Sequence, residues 1–87
     1  MPNANAKDEL PSRLLALLTA IAPDIDPSSV DPELQLRDQF DFDSMDRLHF
    51  AVAISREFHL DIPEKDYPEL SALSRASNYV AKRLQAA

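Results

Sequence analysis

Cysteine and glycine are both missing from this chain of 87 residues. Without cysteine there is no disulfide framework, no thiolate metal site and no cysteine nucleophile, so any thiol chemistry must come from something added to the protein. Without glycine, the turns have to be made by proline, Asp, Asn and Ser. Positive charge is scarce as well: nine Lys and Arg face fifteen Asp and Glu, for a formal net charge of −6. Nucleic acid and anionic membrane surfaces both select a cationic face, so neither is expected as a partner. Basic patches on other proteins are. No run approaches the ~20 apolar residues of a membrane span, and no charged segment followed by an apolar one opens the chain. The expectation is a soluble, cytoplasmic monomer with no membrane insertion.

What is present suits one small domain. A chain of this size buries roughly 60–65% of its unfolded surface, so its core is small. The 45% hydrophobic content still points to a folded domain. Residues 1–7 read as a polar, flexible lead-in and residues 8–87 as the domain. From Asp8, the spacing of Leu10, Leu14, Leu17, Leu18 and Ile21 predicts a helix that Pro23 ends. Residues 23–43 read as a long loop with apolar anchors at Ile25, Val30, Leu34, Leu36, Phe40 and Phe42. A connection of that length often marks function. A second helix is predicted over Asp43–Phe58, a short one over Glu64–Leu70, and a last one from about Ser71 or Ala72 to Gln85. The inward face of that last helix is expected to be Ala76, Tyr79, Val80 and Leu84. No stretch sustains period-two alternation, so the fold class is all-α.

The second predicted helix carries two apolar stripes. At about 100° per residue, Phe50, Ala51, Ile54 and Phe58 fall within one arc, as a core face requires. Met45, Leu48 and Val52 form another arc, flanked by His49 and Arg56. One stripe is enough for a small bundle. The other packs on the long loop, borders a ligand cleft or docks a partner, with Met45 the foremost contact candidate.

Ser44 sits where this helix starts, between Asp43 and Met45-Asp46. Asp43 or Ser44 can cap it, because a short side-chain oxygen accepts from a free backbone N–H. No base stands ready to activate Ser44; His49 is one and a half turns away, and nothing resembles a nucleophilic triad. No catalytic set and no metal site is expected in the chain, so it reads as a non-enzyme.

Asp43-Ser44-Met45-Asp46 resembles the Asp-Ser-Leu-(Asp/Glu) signature of acyl carrier proteins. The similarity continues through Leu48, Phe50, Ile54, Glu57-Phe58, Ile62-Pro63, Asp66 and Asn78-Tyr79-Val80. From about Leu10 onward the order of elements matches that family's four-helix bundle, with three main helices, one short helix and a long loop after the first. The resemblance implies that a magnesium-dependent phosphopantetheinyl transferase places 4′-phosphopantetheine from coenzyme A on Ser44, with Asp43, Met45 and Asp46 as the signature it contacts. Acyl intermediates of fatty-acid, lipid or secondary-metabolite synthesis would then travel as thioesters on the arm. The helix N-terminus favours the phosphodiester, while the Asp43 and Asp46 carboxylates oppose it, so the arm is expected to project away. The further partners implied are an acyl-carrier synthetase or ligase, a ketoacyl synthase or an acyltransferase, met by Met45, Arg47, Leu48, His49, Val52 and Arg56. An acyl pocket would be lined by Leu48, Val52, Ile54, Ile62, Leu70 and Leu73.

Several positions depart from that pattern. Asp41 stands where the family has glycine, and Phe42 where a small residue is common. Arg47, His49 and Arg56 interrupt a helix that fatty-acid carriers keep acidic, leaving Asp46 and Glu57 as its acids. Acidity gathers upstream instead: Asp31, Glu33, Asp38, Asp41, Asp43 and Asp46 face only Arg37 over positions 31–46. This pattern suggests a specialised carrier with dedicated partners. The alternatives are an aminoacyl or peptidyl carrier, whose Gly-Gly-(His/Asp)-Ser lead-in Asp41-Phe42-Asp43-Ser44 does not match, and a helical interaction module without a prosthetic group.

Overall fold

The computed structural model describes residues 6–86, with side chains from residue 9 onward. Most of the expected lead-in, residues 1–5, lies outside the described residues. Helix α1 spans Ala6–Ile21, α2 Leu36–Gln39, α3 Ser44–Phe58 and α4 Leu73–Ala86, with 3₁₀ segments at Pro27–Ser29 and Glu64–Leu70. The fold is all-α, as the periodicity predicts. Among the described residues no helix is long and apolar enough to cross a membrane.

Leucines at the helical spacing of four, Leu10, Leu14 and Leu18, bury one face of α1. That face meets both α3 and α4. Across from it lie Phe50, Ala51, Ile54 and Phe58 of α3 and Ala76 and Val80 of α4, all buried. Full burial of one such large side chain stabilises by about 1.5–3 kcal/mol, so these three stripes hold most of the bundle together. α1 starts two residues earlier than expected, which moves Pro11 into the second turn, where its missing N–H removes one rung of the helix ladder. At the surface, Arg13 of α1 lies 4.5 Å over the Phe58 ring and 2.6 Å from the Glu57 carboxylate.

The connection after α1 is more ordered than its prolines suggest. Asp26 caps the turn at Pro27–Ser29, accepting from the Ser28 N–H at 3.0 Å and the Ser28 hydroxyl at 2.8 Å. The Ser28 hydroxyl, the Ser28 N–H and the Ser29 hydroxyl hold the Asp26 carboxyl below its ordinary value, outweighing a small opposing effect of burial. Further on, the Gln39 amide binds Asp31 through its N–H and its carbonyl, and the Leu34 carbonyl as well. Leu36 buries completely and nucleates the single turn of α2. Two backbone bonds then clasp this connector to the start of α4: Leu36 N–H to Ser71 O at 2.8 Å and Ser74 N–H to Pro32 O at 2.9 Å.

Three packing expectations are corrected. Leu34 is not an anchor but is 52% exposed, because the Gln39 hydrogen bonds already secure its turn. Leu84 is not on the inward face but exposed, one turn beyond Val80, the last buried residue of α4. α4 begins at Leu73, since Ala72 is held in an isolated bridge with Gln35.

Candidate functional site

Ser44 is the first residue of α3, and its side chain is exposed. The capping role falls to Asp43, whose carboxylate accepts from the Asp46 N–H at 3.0 Å. Asp46 answers by accepting from the Asp43 N–H at 3.1 Å, completing a capping box. Two donors that helix geometry leaves open are thereby satisfied, and the Ser44 hydroxyl is not needed for the cap. The approach to Ser44 is anchored by Phe42, buried edge-on against Phe50 with ring centroids 6.3 Å apart. The bulky residue at that position is thus a core residue that pins the serine in place.

From this start, α3 displays Met45 at 55%, Leu48 at 36% and Val52 at 39% exposure. His49 and Arg56, also exposed, flank them. The second apolar stripe therefore faces solvent and is not covered by the connector. Leu48 and Val52, expected on an acyl pocket, are thus exposed on the side of the helix away from its buried face. Ile54, Ile62, Leu70 and Leu73 are buried together in the core. The two acids expected on this helix are both engaged within the molecule, Asp46 in the cap and Glu57 with Arg13.

Arg47 stands apart from the other cations of α3. It is half-buried and lines a cleft of about 460 Å³ with Ser44, Asp43 and Phe42. Arg37 of α2 and Arg75 of α4 line the same cleft. Arg37 and Arg75 were missed as site residues, because no local pattern joins positions 37 and 75; the backbone clasp at Leu36 and Ser71 does. Arg75 also reaches the Glu69 carboxylate at 3.2 Å.

The far end of α3 is built differently. His59 takes the left-handed conformation (φ 56°, ψ 47°) that a glycine usually fills. The His59 and Leu60 N–H groups both turn back to the Ser55 carbonyl, and the Ser55 hydroxyl donates to the Leu60 carbonyl. Nearby, Tyr79 donates to the Asp66 carboxylate at 2.7 Å, while Arg83 reaches both the Tyr79 hydroxyl and the Asp61 carbonyl. Burial, and then the bond to Asp66, push the Tyr79 phenol above its ordinary value, against the pull of Arg83. This network ties α4 to the 3₁₀ segment Glu64–Leu70.

Residues 12–80 match the family described as a phosphopantetheine attachment site. The chain is 32% identical over 60 residues to the acyl carrier protein of Picosynechococcus sp., covering 69% of this chain and 74% of that one. It is 28% identical over 74 residues to a mitochondrial acyl carrier protein of Neurospora crassa, covering 85% of this chain but only 55% of the relative. Against the acyl carrier protein of Streptomyces coelicolor it is 24% identical over 86 residues, spanning 99% of this chain and 94% of the other. The chain thus spans between about half and nearly all of the length of these relatives.

Proposed function

Since this chain belongs to the acyl carrier protein family and has a covalent 4′-phosphopantetheine as its prosthetic group, we propose that Ser44 bears that group and that the chain carries acyl intermediates between partner enzymes without catalysing a reaction itself. The observation that carries this reading is the exposed Ser44 at the start of α3, with the helix cap supplied by its neighbour Asp43. The residues fit the group: the hydroxyl is accessible, unsatisfied helix N–H groups favour an anion, and arginines line the adjoining cleft. In the modification, a Ser44 Oγ–phosphorus bond forms while the pyrophosphate bond of coenzyme A breaks. The adenosine bisphosphate leaves, and the hydroxyl proton passes to a base of the transferase. The arm contributes the thiol that this cysteine-free chain lacks, and acyl groups are held on it as thioesters.

Asp43 and Asp46 each keep one carboxylate oxygen outside the capping bonds and can meet the transferase there. Met45, Leu48 and Val52, with His49 and Arg56 beside them, form the face we assign to partners such as an acyl-carrier ligase, a ketoacyl synthase or an acyltransferase. The basic residues on it, where fatty-acid carriers keep acids, support dedicated partners in fatty-acid, lipid or secondary-metabolite synthesis. Of the proposed pocket residues, Ile54, Ile62, Leu70 and Leu73 remain the ones against which an acyl chain would lie. The compartment we propose is the cytoplasm. The mitochondrial name of the Neurospora relative makes the mitochondrial matrix the second reading, and fractionation of cells expressing the full chain separates the two.

Incubation with coenzyme A and a broad-specificity transferase, followed by intact mass measurement, tests the assignment of Ser44. The wild-type chain is expected to gain one phosphopantetheine and Ser44→Ala none. An unchanged wild-type mass would leave a helical interaction module in its place.

A further inference from the structure

The cleft beside Ser44 is unusual for so acidic a protein. Its walls come from separate parts of the chain: Arg37 from α2, Ser44 and Arg47 from α3, and Arg75 from α4. Three guanidinium groups therefore border one concave surface, and Asp43 is the one carboxylate on its lining. That carboxylate already has an oxygen committed to the Asp46 N–H. Arg75 is bound to Glu69 only at 3.2 Å and in an exposed position, an interaction that costs little to exchange. Arg47 has its Nε atom buried without a hydrogen-bond partner among the described residues. Like charges around one cavity repel, and an oxyanion seated among them would relieve that repulsion. Guanidinium groups suit phosphate oxygens in particular, because their donors lie in a planar fork.

We propose that this arginine-lined cleft is a resting berth for the phosphopantetheine arm, with Arg47, Arg37 and Arg75 binding its phosphodiester and Phe42 and Gln35 lying along the rest. The inference rests on Ser44 being the attachment point. An anion tethered to Ser44, itself part of the cleft lining, is presented at high effective concentration, so even weak individual contacts suffice. The carboxylates of Asp43 and Asp46, which favour an arm that projects into solvent, keep their charge in the capping box, but only Asp43 lines the cleft, against three arginines. A partner enzyme then has to withdraw the arm from the carrier before its thiol can react.

The test uses the full chain loaded with isotope-labelled phosphopantetheine, weighed intact, with the mobility of the arm amides read by ¹⁵N relaxation and the phosphodiester by its ³¹P shift. In the wild-type protein, arm amides as ordered as the backbone are expected, with that order lost in Arg47→Gln, lost at high salt and reduced in Arg37→Gln. The ³¹P shift should move in the same variants. Backbone amide spectra report whether each variant folds; Arg37 is exposed, so Arg37→Gln keeps the test intact if Arg47→Gln does not fold. Arm amides equally mobile in wild type and variants would overturn the berth while leaving the carrier reading standing. Order that arises only when the arm bears a succinyl group would give the cleft to a cargo carboxylate and overturn the phosphodiester assignment. Absence of any mass gain would remove the attachment at Ser44, and the berth with it.

Discussion

The two long faces of α3 are made from similar residues and have opposite fates. Phe50, Ala51, Ile54 and Phe58 vanish into the core, while Met45, Leu48 and Val52 remain open to water. The buried face is also closed at its edge, by Arg13 reaching Glu57 and Phe58 from α1. Among the described residues no such closure covers the open face, and its flanking His49 and Arg56 stay exposed. Stability and recognition are thus divided between two sides of one helix, and apolarity alone does not say which side is which.

The largest expected effect tests that division directly. Ile54→Ala should cost about 2–5 kcal/mol in denaturant unfolding, as truncation of a fully buried side chain does. Val52→Ala, nearly half a turn around the same helix, should stay within about 0.5 kcal/mol. Equal losses at both positions would show that the open face is covered in solution. Next in size is Asp43→Ala, which removes the cap beside Ser44 and should cost about 1 kcal/mol. Because Asp43 is also assigned to the transferase contact, the same variant should take up phosphopantetheine more slowly, whereas Asp43→Asn, which keeps a capping oxygen, should hold the fold while still slowing the transfer; intact mass over time reads both.

Tyr79→Phe should cost about 1 kcal/mol by removing the donor to Asp66. The folded phenol titrates above its ordinary value of 10.0. Its stabilising contribution is therefore complete below pH 10.0 and fades as the pH climbs through the higher folded value. Unfolding curves in that alkaline window should fall for the wild type and flatten in Tyr79→Phe. At the acidic end the sign reverses for Asp26, whose lowered value means that its contribution is present above the ordinary 3.8 and lost on further acidification. An Asp26→Asn chain with an unchanged acid limb would remove that assignment.

The smallest effect on stability belongs to the open face itself. His49→Glu together with Arg56→Glu should leave the unfolding midpoint nearly unmoved but strengthen binding to a general ketoacyl synthase, measured by titration calorimetry. Strong binding by the unaltered protein would sink the case for dedicated partners. Arg47 is best left intact in this experiment, because it belongs to the cleft and not to the stripe.

Much of this was legible beforehand, for reasons of length and period. The leucines of α1 and the aromatic face of α3 repeat long enough for a helical period to emerge; Leu10, Leu14 and Leu18 and the α3 face are buried, while Leu17 and Ile21 are only partly so. Ser44 stood out through its neighbours and not through its own chemistry. By contrast, α2 has only four residues, too few for any period, and its order comes from Leu36 and a bond to a carbonyl far along the chain. Leu48 and Val52 are as apolar as core residues, and only their tertiary surroundings leave them outside. The left-handed His59 had no glycine to announce it. The grouping of Arg37, Arg47 and Arg75 is wholly a product of folding, since distant segments supply them.

The backbone clasp between the connector and α4 has a kinetic consequence. The bond from Leu36 to Ser71 joins residues 35 positions apart, so it forms only after a long loop has been drawn closed. Helices α1 and α3 carry local hydrogen bonds and can be established sooner. We therefore expect the Leu36 and Ser74 amides to exchange with solvent deuterium faster than those around Phe50 and Ile54, through an opening short of global unfolding. Exchange at one uniform rate throughout would show that the clasp opens only when everything does. If it opens alone, Arg37 parts from Arg75 in that brief state, and the carrier can loosen its hold near Ser44 while its hydrophobic interior stays intact.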